Sequence, residues 1–419
     1  MRIAIITARS PLARPADRDG QLLDPVALAR ALADHGHRVT LYARAEDAVT
    51  PRTAILGAGV SVEHIKAGPA RLLSAEHAAR YMPEMAAALA DRWRARRPDV
   101  VHALSWAAGL AAIGAVRGTE IPVVQSFESL ASIERRQARA DVSAARVKLE
   151  ASIGRTVAAV VACSDEEADE LARLAVPKSG IRVIPAGIDA EHFCPEDSRA
   201  RATESPMLVA FADDQARGLG TVIRALSQLP GARLTIIGGQ DARHLPRSGP
   251  FRELAQLATS LRVRNRVTFA GQVDQDEMPK LLRSADVVVS ATGYEPTGRA
   301  VIQAMACGLP VVASAVGGQR DAVIDGITGL LIAPENPAML VQRLRALLSR
   351  PAMLQAYGIA AADRARSRYS LDRIGRETAA AYERCLRATT AAAEDELDEA
   401  DEADEADEAD ERSQVAVYA

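Results

Sequence analysis

The stretch YEPTGRAVIQAMACGLPVVAS, residues 294 to 314, sets a carboxylate, Glu295, where an apolar strand, ADVVVSATG, gives way to a helix. Thr297 and Gly298 open that helix, and a second strand, PVVAS, starts after Cys307-Gly308. A helix N-terminus presents backbone N–H groups and the positive end of a dipole, which favour phosphate. A carboxylate in the same place accepts hydrogen bonds from sugar or ribose hydroxyls. The pairing suits a ligand that carries both groups. Pro296 and the motif around it set Glu295 apart from a simple helix cap. Eight residues past the acid stands an uncharged amide, Gln303. It is either a hydrogen-bond partner for the same ligand or an exposed helix glutamine.

Other residue types that could do chemistry read as structural. The four cysteines, Cys163, Cys194, Cys307 and Cys385, are far apart and have no metal-ligand spacing. With no apolar export segment ahead of the first strand, they read as free thiols in a reducing compartment. Cys307 in AMACG belongs to a helix core ended by a glycine. His102, in VVHA, reads as a structural residue at a strand end, and His35 and His37 flank a helix stop at Gly36. Asp213-Asp214 reads as a turn rather than a metal site. The sequence contains no Ser-His-Asp arrangement and no cluster of metal ligands.

A site at a strand-to-helix junction needs elements that deliver strand ends to one edge, and the whole chain alternates in that way. RIAIIT leads through a loop with Gly20 to the helix PVALARALADHG; then come HRVTLYA, VSVEHI, a long helix near 76 to 97, PDVVHA, IPVVQSF and AAVVACS. This is the rhythm of a parallel sheet covered on both faces. Residues 179 to 196, SGIRVIPAGIDAEHFCPE, read as an interdomain connection, with irregular chain to about 206. A second alternating run starts at PMLVAFA and continues through GTVIRALSQL, ARLTIIGG, RVTFAGQV and DVVVSAT to the opening motif. Helices near 352 to 367 and 371 to 390 close the fold. Two doubly wound domains follow, with ligands at the carboxyl ends of their strands.

Length and charge agree. A chain of 419 residues exceeds one ordinary core. Aromatic residues make up 3%, so Ala, Leu and Val fill the cores. No apolar run approaches the ~20 residues that span a bilayer. The net charge of -4 hides an asymmetry: residues 394 to 411 hold 13 of the 55 acidic residues. Without them 51 basic residues face 42 acidic ones, a balance of +9 that suits an anionic ligand or a phospholipid surface. The like-charged DEADEADEADEADE tail is expected to be disordered and to suit a basic partner.

The run from Tyr294 to Pro334, YEPTGRAVIQAMACGLPVVASAVGGQRDAVIDGITGLLIAP, resembles the signature of retaining glycosyltransferases of family four, the glycosyl transferases group 1. DGQLLDPVALARAL, RPDVVHA, VACSDEE, VIPAGIDAEHF, LTIIGG and FAGQV extend the resemblance to about residue 390. It implies the GT-B fold: an N-terminal Rossmann-like acceptor domain over 1–185, a C-terminal nucleotide-sugar domain over 186–370 and a helix 371–390 crossing back; the acidic tail over 391–419 lies beyond the resemblance. It implies a hexosyltransferase-like enzyme that uses a nucleoside diphosphate sugar and needs no metal or other cofactor. An acceptor at the inner membrane surface, a cytoplasmic or membrane-peripheral location and no nucleic-acid partner go with it. Position by position, Glu295 becomes the catalytic acid that contacts the donor sugar. The backbone at Thr297, Gly298 and Arg299 faces the diphosphate, Val273 lies by the base, and Gly20 lets its loop approach the donor closely.

The chain also departs from the family pattern. Gln303 stands where a second carboxylate usually holds the ribose. Of the basic pair that grips the diphosphate, Phe211-Ala212 aligns with the first member and Arg217 with the second. Glu128, after a retained Phe127, replaces a histidine. Arg299, where an apolar residue is common, reaches the phosphates or faces water. The alternative to an enzyme is a catalytically inactive glycosyltransferase-like scaffold.

Overall fold

A computed structural model describes residues 1–7, 9, 10, 12, 24–47, 49–138, 142–196, 205–212, 216–239 and 249–391. Gly20, Asp213-Asp214 and the acidic tail beyond residue 391 lie outside these residues.

Short runs of Val, Ile and Ala form strands because branched side chains pack well on a pleated surface. Eight make the first sheet: β1 (Arg2–Thr7), β2 (Arg38–Arg44), β3 (Thr53–Gly57), β4 (Val60–Ile65), β5 (Val100–Ala103), β6 (Val123–Ser126), β7 (Ala159–Ala162) and β8 (Ile181–Val183). Their order is β3-β4-β2-β1-β5-β6-β7-β8, and every pair is parallel except β3 with β4. Six more make the second sheet: β9 (Met207–Phe211), β10 (Arg233–Ile237), β11 (Val267–Gly271), β12 (Val287–Ser290), β13 (Val311–Ser314) and β14 (Gly329–Ile332). That sheet is wholly parallel in the order β11-β10-β9-β12-β13-β14. Renumbered from one, this is 3-2-1-4-5-6, the doubly wound dinucleotide-binding order.

Side-chain alternation sends each strand into two cores. Ala4 and Ile6 of β1 enter the core on one face of the first sheet, while Ile3 and Ile5 enter the core on the other. In β12, Val287 and Val289 face one way and Val288 the other. Parallel strands buried on both sides therefore read as unbroken apolar runs.

Two segments differ from the sequence reading. Ile181–Val183, inside the expected connection, is the last strand of the first sheet and pairs with β7. Thr53–Gly57 forms an edge strand that turns back on β4. The link between the sheets is a paired hinge. Ile188 N–H donates to Tyr369 O at 2.8 Å, and Leu371 N–H donates to Ile188 O at 3.0 Å. After it, residues 371–391 form a helix whose Ile374, Ala379, Tyr382 and Cys385 join the core of the first sheet. The Tyr382 hydroxyl lies 2.6 Å from His102 Nδ1, and His102 Nε2 lies 2.9 Å from Ser126 Oγ. Burial pushes His102 down to about 3, so it is a neutral tie between helix and sheet, in keeping with a structural role. Among the described residues no helix is long and apolar enough to cross a membrane.

Candidate active site

In an open parallel sheet the crevice opens where the strand order reverses, outside the carboxyl ends of the strands. In the second sheet that point lies between β9 and β12. A cavity of about 300 Å³ sits there, lined among others by Phe211, Ala212, Arg217, Tyr294, Glu295 and Gln303. Two helix starts point at it. The helix Leu219–Ser227 is preceded by Gly218 at φ 76°, and the helix Arg299–Ala306 by Gly298 at φ 68°. Both glycines adopt the left-handed conformation that other residues resist. Neither glycine supplies a side-chain cap, and the positive ends of both helix dipoles lie at the cavity. A Cβ at Gly218 would lie 2.5 Å from the Ala291 carbonyl carbon, which shows how tightly this turn is pressed on the end of β12.

The turn carries Arg217. Its guanidinium carbon lies 5.6 Å from the centre of the Tyr294 ring, a cation–π stack that aims the side chain along the cavity wall. Glu295 folds back on its own helix start: its Oε1 accepts from Gly298 N–H at 3.0 Å and from the Thr297 hydroxyl at 3.2 Å. The acid thus does cap this turn, and it also lines the cavity. Thr297 Oγ1 accepts from Arg299 N–H at 3.3 Å.

Gln303 is 6% exposed and faces the cavity, so the exposed-glutamine alternative is set aside. Arg299 neither faces water alone nor points only inward: its Nη2 lies 3.4 Å from Asp24 Oδ2, an ion pair that reaches the first domain. Val273 packs against the core of the second sheet, and Gln275, two residues on, is the part of that loop that lines the cavity. His192 Nε2, 2.8 Å from Gln275 O, fastens the loop to the interdomain connection. Glu128 is half-buried after β6 and does not line the cavity, while Phe127 is core.

Three residues absent from the sequence reading sit at the seam. Tyr294 belongs to the second domain, yet its ring packs against the core of the first. Burial there holds its hydroxyl well above the usual tyrosine range. Glu166, on the first turn of the helix Asp165–Arg173, accepts from Gly317 N–H at 2.7 Å across the seam. Asp24 is the third. Their only local signals are positions: beside the acid, at a helix start, and at an N-cap.

Comparison with known proteins fits this geometry. Residues 200–364 match the model for glycosyl transferases group 1, and residues 26–192 match that for Glycosyltransferase Family 4. A D-inositol 3-phosphate glycosyltransferase of Streptomyces bingchenggensis (strain BCW-1) is 31% identical over 412 residues, covering 92% of this chain and 90% of that protein. Another, from Xylanimonas cellulosilytica, is 32% identical over 373 residues, covering 83% and 88%. Among solved structures, sucrose-phosphate synthase from Thermosynechococcus elongatus superposes with a TM-score of 0.81 at 26% identity, covering 93% of this chain and 100% of that one. Anabaena HepE in complex with UDP and glucose shares the fold at 19% identity, with a TM-score of 0.68 and coverage of 90% and 98%. With its two-domain GT-B fold and these matches along both halves, the chain belongs to the family-four glycosyltransferases, the glycosyl transferases group 1, and is a glycosyltransferase.

Proposed function

We propose that this glycosyltransferase takes a sugar from a nucleoside diphosphate sugar and passes it, with retention, to a hydroxyl of its acceptor. The observation that carries the reading is the convergence of two glycine-led helix starts, Arg217 and Glu295 on one cavity. The helix starts and Arg217 hold the diphosphate, with the backbone at Thr297 and Gly298 nearest. Glu295 hydrogen-bonds the sugar hydroxyls, and Gln303 the ribose. The loop with Val273 and Gln275 lies by the base. As the bond from the anomeric carbon to the diphosphate breaks, the electron pair moves to the leaving oxygen, where Arg217 and the helix dipoles stabilise it. The acceptor oxygen forms the new bond, and its proton passes to the leaving diphosphate oxygen. On this reading no metal or other cofactor is needed.

The names of the relatives make D-inositol 3-phosphate the first acceptor to assay. The donor site is tested by calorimetric titration with uridine, guanosine and adenosine diphosphates. One of them is expected to bind, and Arg217→Ala to weaken it by about 2 kcal/mol, roughly thirtyfold, with less effect on the free nucleoside. If none binds at millimolar concentration, the donor reading fails and a glycosyltransferase-like binding protein replaces it.

A further inference from the structure

We infer that Glu166, an acid of the first domain, is a positioning residue for Glu295, acting through Gly317 and Gly318 when the cleft is closed. The inference rests on the proposed role of Glu295 at the donor sugar. Its basis is a chain of contacts across the seam. Glu166 Oε2 accepts from Gly317 N–H at 2.7 Å, and its Oε1 accepts from the side-chain amide of Gln137. Gln137 lies in a π-helical turn, Glu134–Ala138, a geometry that re-aims side chains and is frequent at functional sites. Gly318 N–H then donates to the carbonyls of Glu295 and Pro296, both at 3.1 Å. No side chain fits at Gly317, because a Cβ there would strike the Glu295 carbonyl. The backbones of Gly317 and Glu295 are therefore packed directly against each other.

Two further ties act on the same loops. Asp165 N–H donates to Asp321 Oδ2 at 2.8 Å, holding the last turn of the short helix Gly317–Ala322. Tyr294, bonded to Glu295, anchors its ring in the first domain. A carboxylate that accepts from a backbone N–H is among the stronger hydrogen bonds. When the domains part, Gly317 loses that acceptor to water, and the loop under Glu295 loses its support from the opposite domain. Glu295 is thereby aligned in the closed enzyme and released in the open one. Water has less access to the donor while the acid is in place.

The test is hydrogen exchange on the full-length protein, read on peptides covering residues 293–300 and 314–322. In Glu166→Ala both peptides are expected to exchange about tenfold faster, while the strands of both sheets keep their protection. Glu166→Gln still presents an oxygen to Gly317 and is expected to stay within about twofold of wild type. The second arm measures nucleoside diphosphate release from uridine, guanosine and adenosine diphosphate glucose. Glu166→Ala should lower kcat about tenfold while KM for the donor moves by less than about twofold, since Arg217 and the helix starts are untouched. Unchanged exchange in the Ala variant, acceleration spread over both sheets, or an unchanged kcat each overturns the inference. If wild type uses none of these donors, the donor reading is what fails, and the exchange arm still judges the contact chain.

Discussion

Replacing Asp24 by Asn should make this enzyme bind its nucleoside diphosphate more tightly. Among the described residues the Asp24 side chain has two polar contacts: its Oδ1 accepts from Ala27 N–H at 3.0 Å and caps the helix Pro25–Asp34, while its Oδ2 lies 3.4 Å from Arg299 Nη2. Asn caps a helix about as well as Asp, so the substitution removes the charge and keeps the cap. About a third of each side chain is exposed, 30% for Arg299 and 35% for Asp24, so a water-like dielectric applies. Two unit charges at this separation then attract by about 1 kcal/mol, near the upper end for exposed pairs. A diphosphate that recruits Arg299 must first break this pair. Removing the pair returns up to about 1 kcal/mol to binding, roughly a fivefold fall in Kd. Calorimetric titration at low salt measures it, and the gain should shrink as salt screens the charges. In an Arg299→Ala background the gain should vanish, since the two residues act through each other. An unchanged or weaker affinity in Asp24→Asn refutes the competition. A gain that persists without Arg299 shows that Asp24 repels the diphosphate directly.

Gln303→Glu should strengthen diphosphate binding by about 1 kcal/mol through the ribose hydroxyls, and a 2′,3′-dideoxy analogue should not share the gain. An equal gain with the analogue would remove Gln303 from the ribose. Glu167 gives a pH dependence. It is 3% exposed, its Oε2 accepts from Cys163 N–H at 2.6 Å, and its Oε1 has no hydrogen-bond partner among the described residues. Burial pushes its carboxyl up to about 8. Between the ordinary carboxylate value and 8 the folded chain keeps a proton that the unfolded chain has lost, so stability falls as pH rises through this window. Glu167→Gln should flatten that slope and stabilise the protein above pH 8 by on the order of 3 kcal/mol, read by urea unfolding at several pH values. A slope unchanged by the substitution counts against it.

The layered fold was legible because burial on both faces leaves no polar alternation to confuse strand with loop. PDVVHA, IPVVQSF and AAVVACS read as strands for the same reason that β5, β6 and β7 are buried throughout. Thr53–Gly57 escaped because it is an antiparallel edge, alternately exposed, with Ile55 78% open to solvent. Its apolar run, Ala54 to Leu56, is only three residues long and ends at a glycine, too short to signal a strand. Ile181–Val183 escaped for the opposite reason. It is three residues long and runs into Pro185 and Gly187, so turn chemistry masked the strand.

The candidate site divides along the same line. Glu295, Thr297, Gly298 and Gln303 lie within nine consecutive residues, and a strand, a left-handed glycine and a helix bring them together by local geometry alone. Arg217 is further off in sequence, but it precedes the other left-handed glycine cap, and β9 next to β12 makes the two turns neighbours. What local rules do not carry is the contact between domains. Glu166 is 151 residues from Gly317, and Asp24 is 275 residues from Arg299. Read alone, Glu166 is one more acid in the first turn of a helix, where the dipole welcomes it, and Asp24 is an ordinary cap. Their second contacts exist because the chain, paired at Ile188 and Ser370, brings loops after strands of the two sheets together. The same crossing explains why Arg299 resisted assignment: its partner, 3.4 Å away, is a carboxylate of the other domain.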